Sequence, residues 1–279
     1  MAQEGDMYNA TICPLPYGTQ VKYQVNASDF AGNWIASCIY SYVVCDRKPP
    51  IISIVSWAET PNYDEPATIN ATVVDEGSAV ESVVLHYSTN SIDWMNMPMN
   101  PVGDNLYTAE ISPKPYGTTV IFYVYASDEA GNSGVSQPHF YKVIDSYPPT
   151  ISDVEHEPTS PNYNETVTVS AEVTEPQNAS QVWFVFLGYW DGSTWRNMTM
   201  TLLDGRYVAT IPALPYGTVA NYKVYGFDKA GNLAVSDVYS YSVTDSYPPT
   251  ARIDEPTEGS YLSGEVIVRG FGSDDNFDK

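Results

Sequence analysis

Pro16-Tyr17-Gly18-Thr19, then Val21-Lys22-Tyr23-Gln24-Val25-Asn26-Ala27, then Asp29-Phe30-Ala31-Gly32-Asn33, is the stretch whose reading decides the fold. PYGTQVKYQVNASDFAGN returns as PYGTTVIFYVYASDEAGN from Pro115 and as PYGTVANYKVYGFDKAGN from Pro215, 99 and 100 residues apart. A period of that length is one small domain per repeat. Gly18, Gly117 and Gly217 permit a tight turn. The alternation of Val21, Tyr23, Val25 and Ala27 with Lys22, Gln24 and Asn26 has the period of a strand with one buried face. The Asp29 to Asn33 run has hairpin-turn chemistry, with Gly32 supplying a positive φ and Asp29 bonding the loop backbone. Each copy is therefore predicted to be a turn, a strand and a second turn.

Working outward, the second full repeat divides into ISDVEHEP, TVTVSAEV, QVWFVFLGY, TWRNMTM, RYVATIP, VANYKVYGFD and VYSYSVTD, read as strands A, B, C, C′, E, F and G. The first full repeat supplies TINATVV, ESVVLHY, DWMNMPM, LYTAEIS, VIFYVYASD and FYKVID in the last six places. Seven short strands in about 100 residues predict an all-β chain of immunoglobulin-like sandwiches. No segment carries a sustained 3.6-residue apolar period. The linkers Asp46-Arg47-Lys48-Pro49-Pro50, Asp145-Ser146-Tyr147-Pro148-Pro149 and Asp245-Ser246-Tyr247-Pro248-Pro249 each end in a proline pair, which stiffens the backbone into an extended spacer and predicts a rod.

Alignment of the repeats sets the expected boundaries. Tyr8 matches Tyr107 and Tyr207, so Met1 corresponds to Asn100 and Met200. The expected order is an incomplete sandwich over 1–48, complete sandwiches over 49–147 and 148–247, and an incomplete module with two strands over 248–279. This reads as a piece of a longer multi-domain protein. The rival is head-to-tail completion, with residues 250–279 of one chain pairing with residues 1–46 of the next to make a filament.

The LPYGT-x-x-x-Tyr-x-Val run ending in D-x-A-G-N resembles the fibronectin type III and immunoglobulin-like repeats of bacterial and archaeal surface proteins. The tail EGSYLSGEVIVRGFGSDDN is similar to the opening of a second immunoglobulin-like class. These resemblances cover nearly the whole chain and imply an extracellular location. One departure stands out: the corner Tyr of strand F is Tyr23 and Tyr222, but Phe122 in the middle copy. The middle domain is expected to lose the corner hydroxyl's hydrogen bond and some stability with it.

A net charge of −22 argues against nucleic acid, because phosphate binding needs a basic face. An acidic surface instead favours solubility and offers oxygen ligands to hard cations. No run of 18 apolar residues predicts a membrane span, and MAQEGDMYNATI shows no basic region followed by an apolar core. Strand order places the B–C and F–G loops beside the preceding linker. This gathers Asp46, Asp75, Glu76 and Asp128 at the first linker, and Asp145, Glu175 and Asp228 at the second. The expectation is a Ca²⁺ at each, because oxygens from several loops suit a cation that takes 6 to 8 ligands. The alternative is that Asp128 and Asp228 only cap their turns while the others are solvated.

Six N-glycosylation sequons begin at Asn9, Asn26, Asn70, Asn164, Asn178 and Asn197. Asn9, Asn26 and Asn70 alternate with apolar neighbours and so point outward, while Asn164 and Asn178 fall in predicted loops. Glycan attachment on an exported protein requires such exposure; a Thr- and Asn-rich strand surface is the other reading. Trp94 and Trp195 occupy equivalent places in a strand-Trp-strand pattern similar to some carbohydrate-binding modules, with Tyr189 and Trp190 near the second. They are either sugar platforms or rings packed on their own domain.

Catalysis has little support, since His86, His139 and His156 are isolated and no HExxH, GxSxG or phosphate-cradling loop is present. Cys13, Cys38 and Cys45 all fall in the first module. A Cys13–Cys45 disulfide leaving Cys38 free and three ordinary thiols are both open. The residues as a whole read as a non-catalytic stalk, spacer or adhesion repeat region of an extracellular surface protein. Its partners would be neighbouring domains of the same chain and a cell-surface protein or glycan. Carbohydrate-binding accessory modules of a secreted hydrolase and a head-to-tail filament subunit are the alternatives.

Overall fold

The structure is a computed structural model that describes residues 2–4 and 7–274, and the side chains of 7–274. Met1, matched to Asn100 and Met200 by the repeat alignment, lies outside the described residues, as do 275–279 of the final module. The chain forms two compact units, Met1–Ile144 and Asp145–Lys279. This division falls before the second of the three linkers, at Asp145, whereas the repeat alignment placed the boundary after Tyr147. Asp145 belongs with the sandwich it precedes because its carboxylate accepts the backbone N–H of Ser180 at 2.8 Å.

The first unit begins with short strands β1 (Ala2–Glu4), β2 (Met7–Asn9), β3 (Gln20–Tyr23), β4 (Asn26–Ser28), β5 (Trp34–Ala36) and β6 (Tyr40–Val43). They pair only as two-stranded ribbons, β1 with β2, β3 with β6 and β4 with β5. With no facing sheet among the described residues, Trp34, Ile35 and Tyr40 stay exposed. Cys13, Cys38 and Cys45 are free and exposed, so the Cys13–Cys45 bridge does not form here.

A complete sandwich follows: β7 (Ile51–Trp57), β8 (Ala67–Val74), β9 (Val80–Ser88), β10 (Met95–Pro98), β11 (Asn100–Gly103), β12 (Leu106–Ile111), β13 (Thr119–Asp128), β14 (Ser133–Val135) and β15 (His139–Lys142). One sheet runs β11-β12-β8-β7 and the other β10-β9-β13, with β14 and β15 both on β13. All named pairings are antiparallel. These are the A-B-E-D and C′-C-F-G sheets of an immunoglobulin-like, fibronectin type III-like sandwich.

The second unit repeats the plan with β16 (Thr150–Glu157), β17 (Val167–Thr174), β18 (Val182–Trp190), β19 (Trp195–Thr199), β20 (Thr201–Leu203), β21 (Arg206–Ile211), β22 (Val219–Asp228), β23 (Leu233–Val235) and β24 (Tyr239–Ser242). Its sheets are β16-β17-β21-β20 and β19-β18-β22, with β23 and β24 on β22. A ribbon of β25 (Thr250–Glu255) and β26 (Arg269–Ser273) closes the chain.

Two features exceed the seven strands read from sequence. β11 and β20 add a short D strand, and strand G is split into two pieces. The split has a side-chain cause: Ser136 Oγ accepts the Val124 N–H at 3.0 Å, and Ser236 Oγ accepts the Val224 N–H at 3.0 Å. The hydroxyl takes over a ladder bond and offsets the strand by a residue. Ser37 does the same for Val25 at 3.1 Å.

The two sheets of each sandwich bury one face. In β13 every second residue, Val120, Phe122, Val124 and Ala126, is fully buried, and in β22 the same places hold Ala220, Tyr222 and Val224. Gly117 and Gly217 sit at φ +80° and +76° in the turns that start these strands, a conformation with no Cβ penalty only for glycine.

At the corner of strand F, Tyr222 bonds to His156 of strand A, hydroxyl to Nδ1 at 2.8 Å. In the first sandwich, Trp57 takes the place of His156: it lies opposite Ile69 as His156 lies opposite Val169. Its indole meets Phe122 edge-on at 6.0 Å and His139 at 4.7 Å. The His156–Tyr222 hydrogen bond has no counterpart here, and Trp57 Nε1 is buried without a hydrogen-bond partner.

Candidate functional site

In both complete sandwiches the B–C loop, the F–G turn and the entering linker converge on carboxylates. The F–G turn is built by the Asp-x-Ala-Gly-Asn run itself. Asp128 is fully buried, its Oδ1 accepting the N–H groups of Ala130 at 3.0 Å and Asn132 at 2.8 Å. Its Oδ2 accepts from Asn132 Nδ2 at 2.8 Å. Asp228 and Asn232 repeat this clamp at 2.8 and 2.7 Å, and Asp29 with Asn33 at 2.8 Å. The Asp residues do cap their turns, as the simpler reading held.

They are also brought together with others. One oxygen each from Asp46, Asp75 and Asp128, and one each from Asp145, Glu175 and Asp228, lie within 4.8 Å of one another. Asp46 accepts from the Lys48 N–H at 3.0 Å and the Ser78 hydroxyl at 3.0 Å. Asp75 Oδ1 takes the N–H groups of Gly77 at 2.8 Å and Ser78 at 2.7 Å, while its Oδ2 is buried without a partner. Gly77 is required for this approach, since a Cβ there would lie 2.3 Å from Asp46 Cγ.

In the second group Asp145 is held by the N–H groups of Tyr147 at 3.0 Å and Ser180 at 2.8 Å. Both carboxylate oxygens of Glu175 are buried with no hydrogen-bond partner. The Asn of each clamp reaches back to the linker backbone. Asn132 Nδ2 donates to Asp46 O at 3.4 Å, and Asn232 Nδ2 donates to the carbonyls of Asp145 and Tyr147, each at 3.1 Å. Asn132 and Asn232 thus join the candidate site through the linker carbonyls, where the sequence pattern showed only turn residues. Their fixed place four residues after the Asp was the available signal.

Glu76 is not part of the first group. It turns outward to an exposed ion pair with Lys48 at 3.0 Å, because the Gly77–Ser78 turn directs Asp75 inward and the next side chain to solvent. The basic side chains nearby are thus engaged elsewhere, Lys48 by Glu76 and Lys229 by Gln181 Oε1 at 2.8 Å.

The electrostatic consequences differ between the groups. The Lys48 N–H holds the Asp46 carboxyl below its usual value, against desolvation and with help from Ser78. Burial, and then the charges of Asp145 and Asp228, push Glu175 up to about 7. A buried carboxylate beside two others must keep a proton or acquire a cation. Oxygens bound to one Ca²⁺ at about 2.4 Å lie no more than about 4.8 Å apart, so both oxygen-only groups fit a hard cation.

The aromatic and sequon positions are also placed. Trp94 is 40 % exposed and leans on Tyr123 with ring centroids 5.0 Å apart. Trp195 is 49 % exposed and lies opposite Trp190 on the neighbouring strand. Asn9, Asn26, Asn164, Asn178 and Asn197 are exposed. Asn70 faces outward but is half-buried, and its Nδ2, the atom a glycan would take, donates to Ser56 Oγ at 3.0 Å.

No family model and no curated protein matches this chain. Among solved structures, a tetra-tandem repeat from the extending region of a large adhesion protein is 16 % identical with a TM-score of 0.40, covering 85 % of this chain and 60 % of that one. The FN1–FN3 domains of chicken CNTN1 are 14 % identical with a TM-score of 0.31, covering 80 % and 78 %. The fibronectin(III)-like modules of Clostridium thermocellum CbhA are 15 % identical with a TM-score of 0.31, covering 70 % and 95 %. These neighbours are tandem fibronectin type III-like and adhesin repeat domains. The fold assignment rests on the strand order and register given above. Among the described residues no helix is long and apolar enough to cross a membrane.

Proposed function

We propose that this chain is a run of non-catalytic sandwich modules in an extracellular surface protein. It serves there as a spacer or adhesion repeat region, and each complete module ties down its entering linker with a bound Ca²⁺. The observation that carries this reading is the duplicated convergence of linker, B–C loop and F–G turn. Asp46, Asp75 and Asp128, and again Asp145, Glu175 and Asp228, bring carboxylate oxygens within 4.8 Å, with Asp75 Oδ2 and both Glu175 oxygens buried and unpartnered.

The bound ion would supply positive charge to carboxylates that form no direct ion pair with a basic side chain among the described residues. The protein's residues do the rest. Asn132 and Asn232 fix the linker carbonyls, Gly77 lets Asp46 approach, and the prolines that follow hold the linker extended. A linker held at several points loses its freedom, which is what a spacer needs and an enzyme does not. The resemblance to cell-surface repeats and the exposed sequons support an extracellular site.

Calorimetric titration of the full chain with Ca²⁺, alongside small-angle scattering with and without millimolar Ca²⁺, tests the proposal. Heat of binding, a raised melting temperature and a particle that stiffens with the ion are the expected results. No heat and no change in melting temperature would remove the cation and leave the hydrogen-bonded linker alone.

A further inference from the structure

The outward face of the C′-C-F-G sheet carries a second feature, and it differs between the two sandwiches. On the first, His86 lies flat on Tyr123, with centroids 4.8 Å apart and planes at 3°. Trp94 meets the same Tyr123 at 56°, and Tyr125 meets His86 edge-on at 6.1 Å. These rings with Ser91 and Val135 line a groove of about 520 Å³. The crossed planes of Trp94 and Tyr123 give it a corner rather than a flat floor.

Three properties identify the occupant. No charged side chain lines the groove, although the chain carries a net charge of −22, so the ligand is neutral. The rings are held by one another, so their faces are set before a ligand arrives, and little ordering opposes binding. Among the described residues, the hydroxyls of Tyr123 and Tyr125 and the ring nitrogens of His86 make no hydrogen bond within the protein. An apolar protein surface laid here would strand those polar atoms, at the cost of unpaired buried groups. A pyranose ring offers an apolar C–H face to the aromatic planes and hydroxyls to the polar edges, as in pockets lined by rings with a few polar groups.

We propose that this groove, centred on Trp94, binds a neutral sugar ring. The site belongs to the first sandwich alone. At the places of His86 and Tyr123 the second sandwich has Gly188 and Lys223, which face each other across β18 and β22. Trp195 has lost its floor there and stands opposite Trp190 instead. The equivalence of the two tryptophans in sequence therefore does not extend to their surroundings.

Native affinity electrophoresis of the full chain in gels containing hydroxyethylcellulose, xyloglucan, galactomannan or dextran tests this, with a neutral-oligosaccharide array in parallel. Retardation by at least one polysaccharide is expected. Trp94→Ala should weaken it at least tenfold with an unchanged melting temperature, and Trp195→Ala should leave it intact. His86→Ala, which keeps the tryptophan, should weaken it less. Absence of retardation in every gel and on the array would overturn the proposal. So would retardation indifferent to Trp94→Ala, or lost equally in Trp195→Ala. If an apolar dye binds and loses its signal with Trp94→Ala while no sugar binds, the groove is a protein-docking face and the proposal fails.

Discussion

The two complete sandwiches share a scaffold strand for strand and repeat the Asp–Asn clamp of the F–G turn, but differ at the strand F corner and on the outward sheet face. Between the sheets, Leu85 and Leu187 are both fully buried, as are Val124 and Val224. At the strand F corner, one sandwich has Trp57, Phe122 and His139 in ring contact. The other has a hydrogen-bonded His156–Tyr222 pair. On the outward sheet face the first sandwich pairs Ser82 with Ser127 by a 2.8 Å hydrogen bond, where the second stacks Phe184 on Phe227 at 4.7 Å. The second sandwich thus extends aromatic pairing to the end of the face where the first carries hydroxyls. The strand plan is common to both copies, while a buried corner and the outward face each differ between them.

The largest effect should be common to both copies. Leu85→Ala and Leu187→Ala should each cost about 2–5 kcal/mol by leaving a cavity, measured by chemical denaturation of the full chain. A marked inequality would show that the two cores do not pack alike.

The next separates the carboxylate groups. Gly77→Ala places a methyl where the Asp46 carboxylate sits, and should abolish the Ca²⁺-linked rise in melting temperature of the first sandwich while sparing the second. Glu175→Gln should do the reverse. At a hundredfold excess over Kd, the linked stabilisation lost is about 2.7 kcal/mol. Differential scanning calorimetry with and without chelator reads both.

The pH dependence should divide them in the same way. Glu175 is raised in the folded state from 4.5 to about 7, so the folded chain holds a proton there that the unfolded chain has released. Without a cation, the stability of the second sandwich should fall as pH rises through about 4.5 to 7, and Ca²⁺ should restore it at the upper end. Asp46 is lowered from 3.8, so its contribution is present above that value and fades only as pH falls below it. Melting curves over pH 3 to 8 in chelator should show the falling limb in one transition alone, and Glu175→Gln should flatten it.

The smallest effect tests the corner. Tyr222→Phe removes one hydrogen bond to His156 and should cost about 1 kcal/mol. Phe122→Tyr should stabilise the first sandwich only if its hydroxyl accepts from Trp57 Nε1–H, which is buried without a partner. Loss of any such gain in the double variant with Trp57→Phe would identify that donor.

The sequence alone determined the repeat, the strand alternation of β13 and β22, and the loops that carry Asp75, Glu175, Asp128 and Asp228. All of these depend on local periodicity and turn chemistry. It also placed Asp46 and Asp145 in the linkers beside those loops. Only the tertiary structure decided that Glu76 leaves the group, because the direction of a side chain in a five-residue loop depends on which neighbour the turn turns inward. Packing alone could show the exchange of His156 for Trp57 beside Phe122, since the two lie at different offsets in their repeats and become equivalent only through sheet register. The same holds for the Trp94 groove, where Tyr123 and His86 come from separate strands. Periodicity says which face a residue takes, but register across a sheet says which residue it meets.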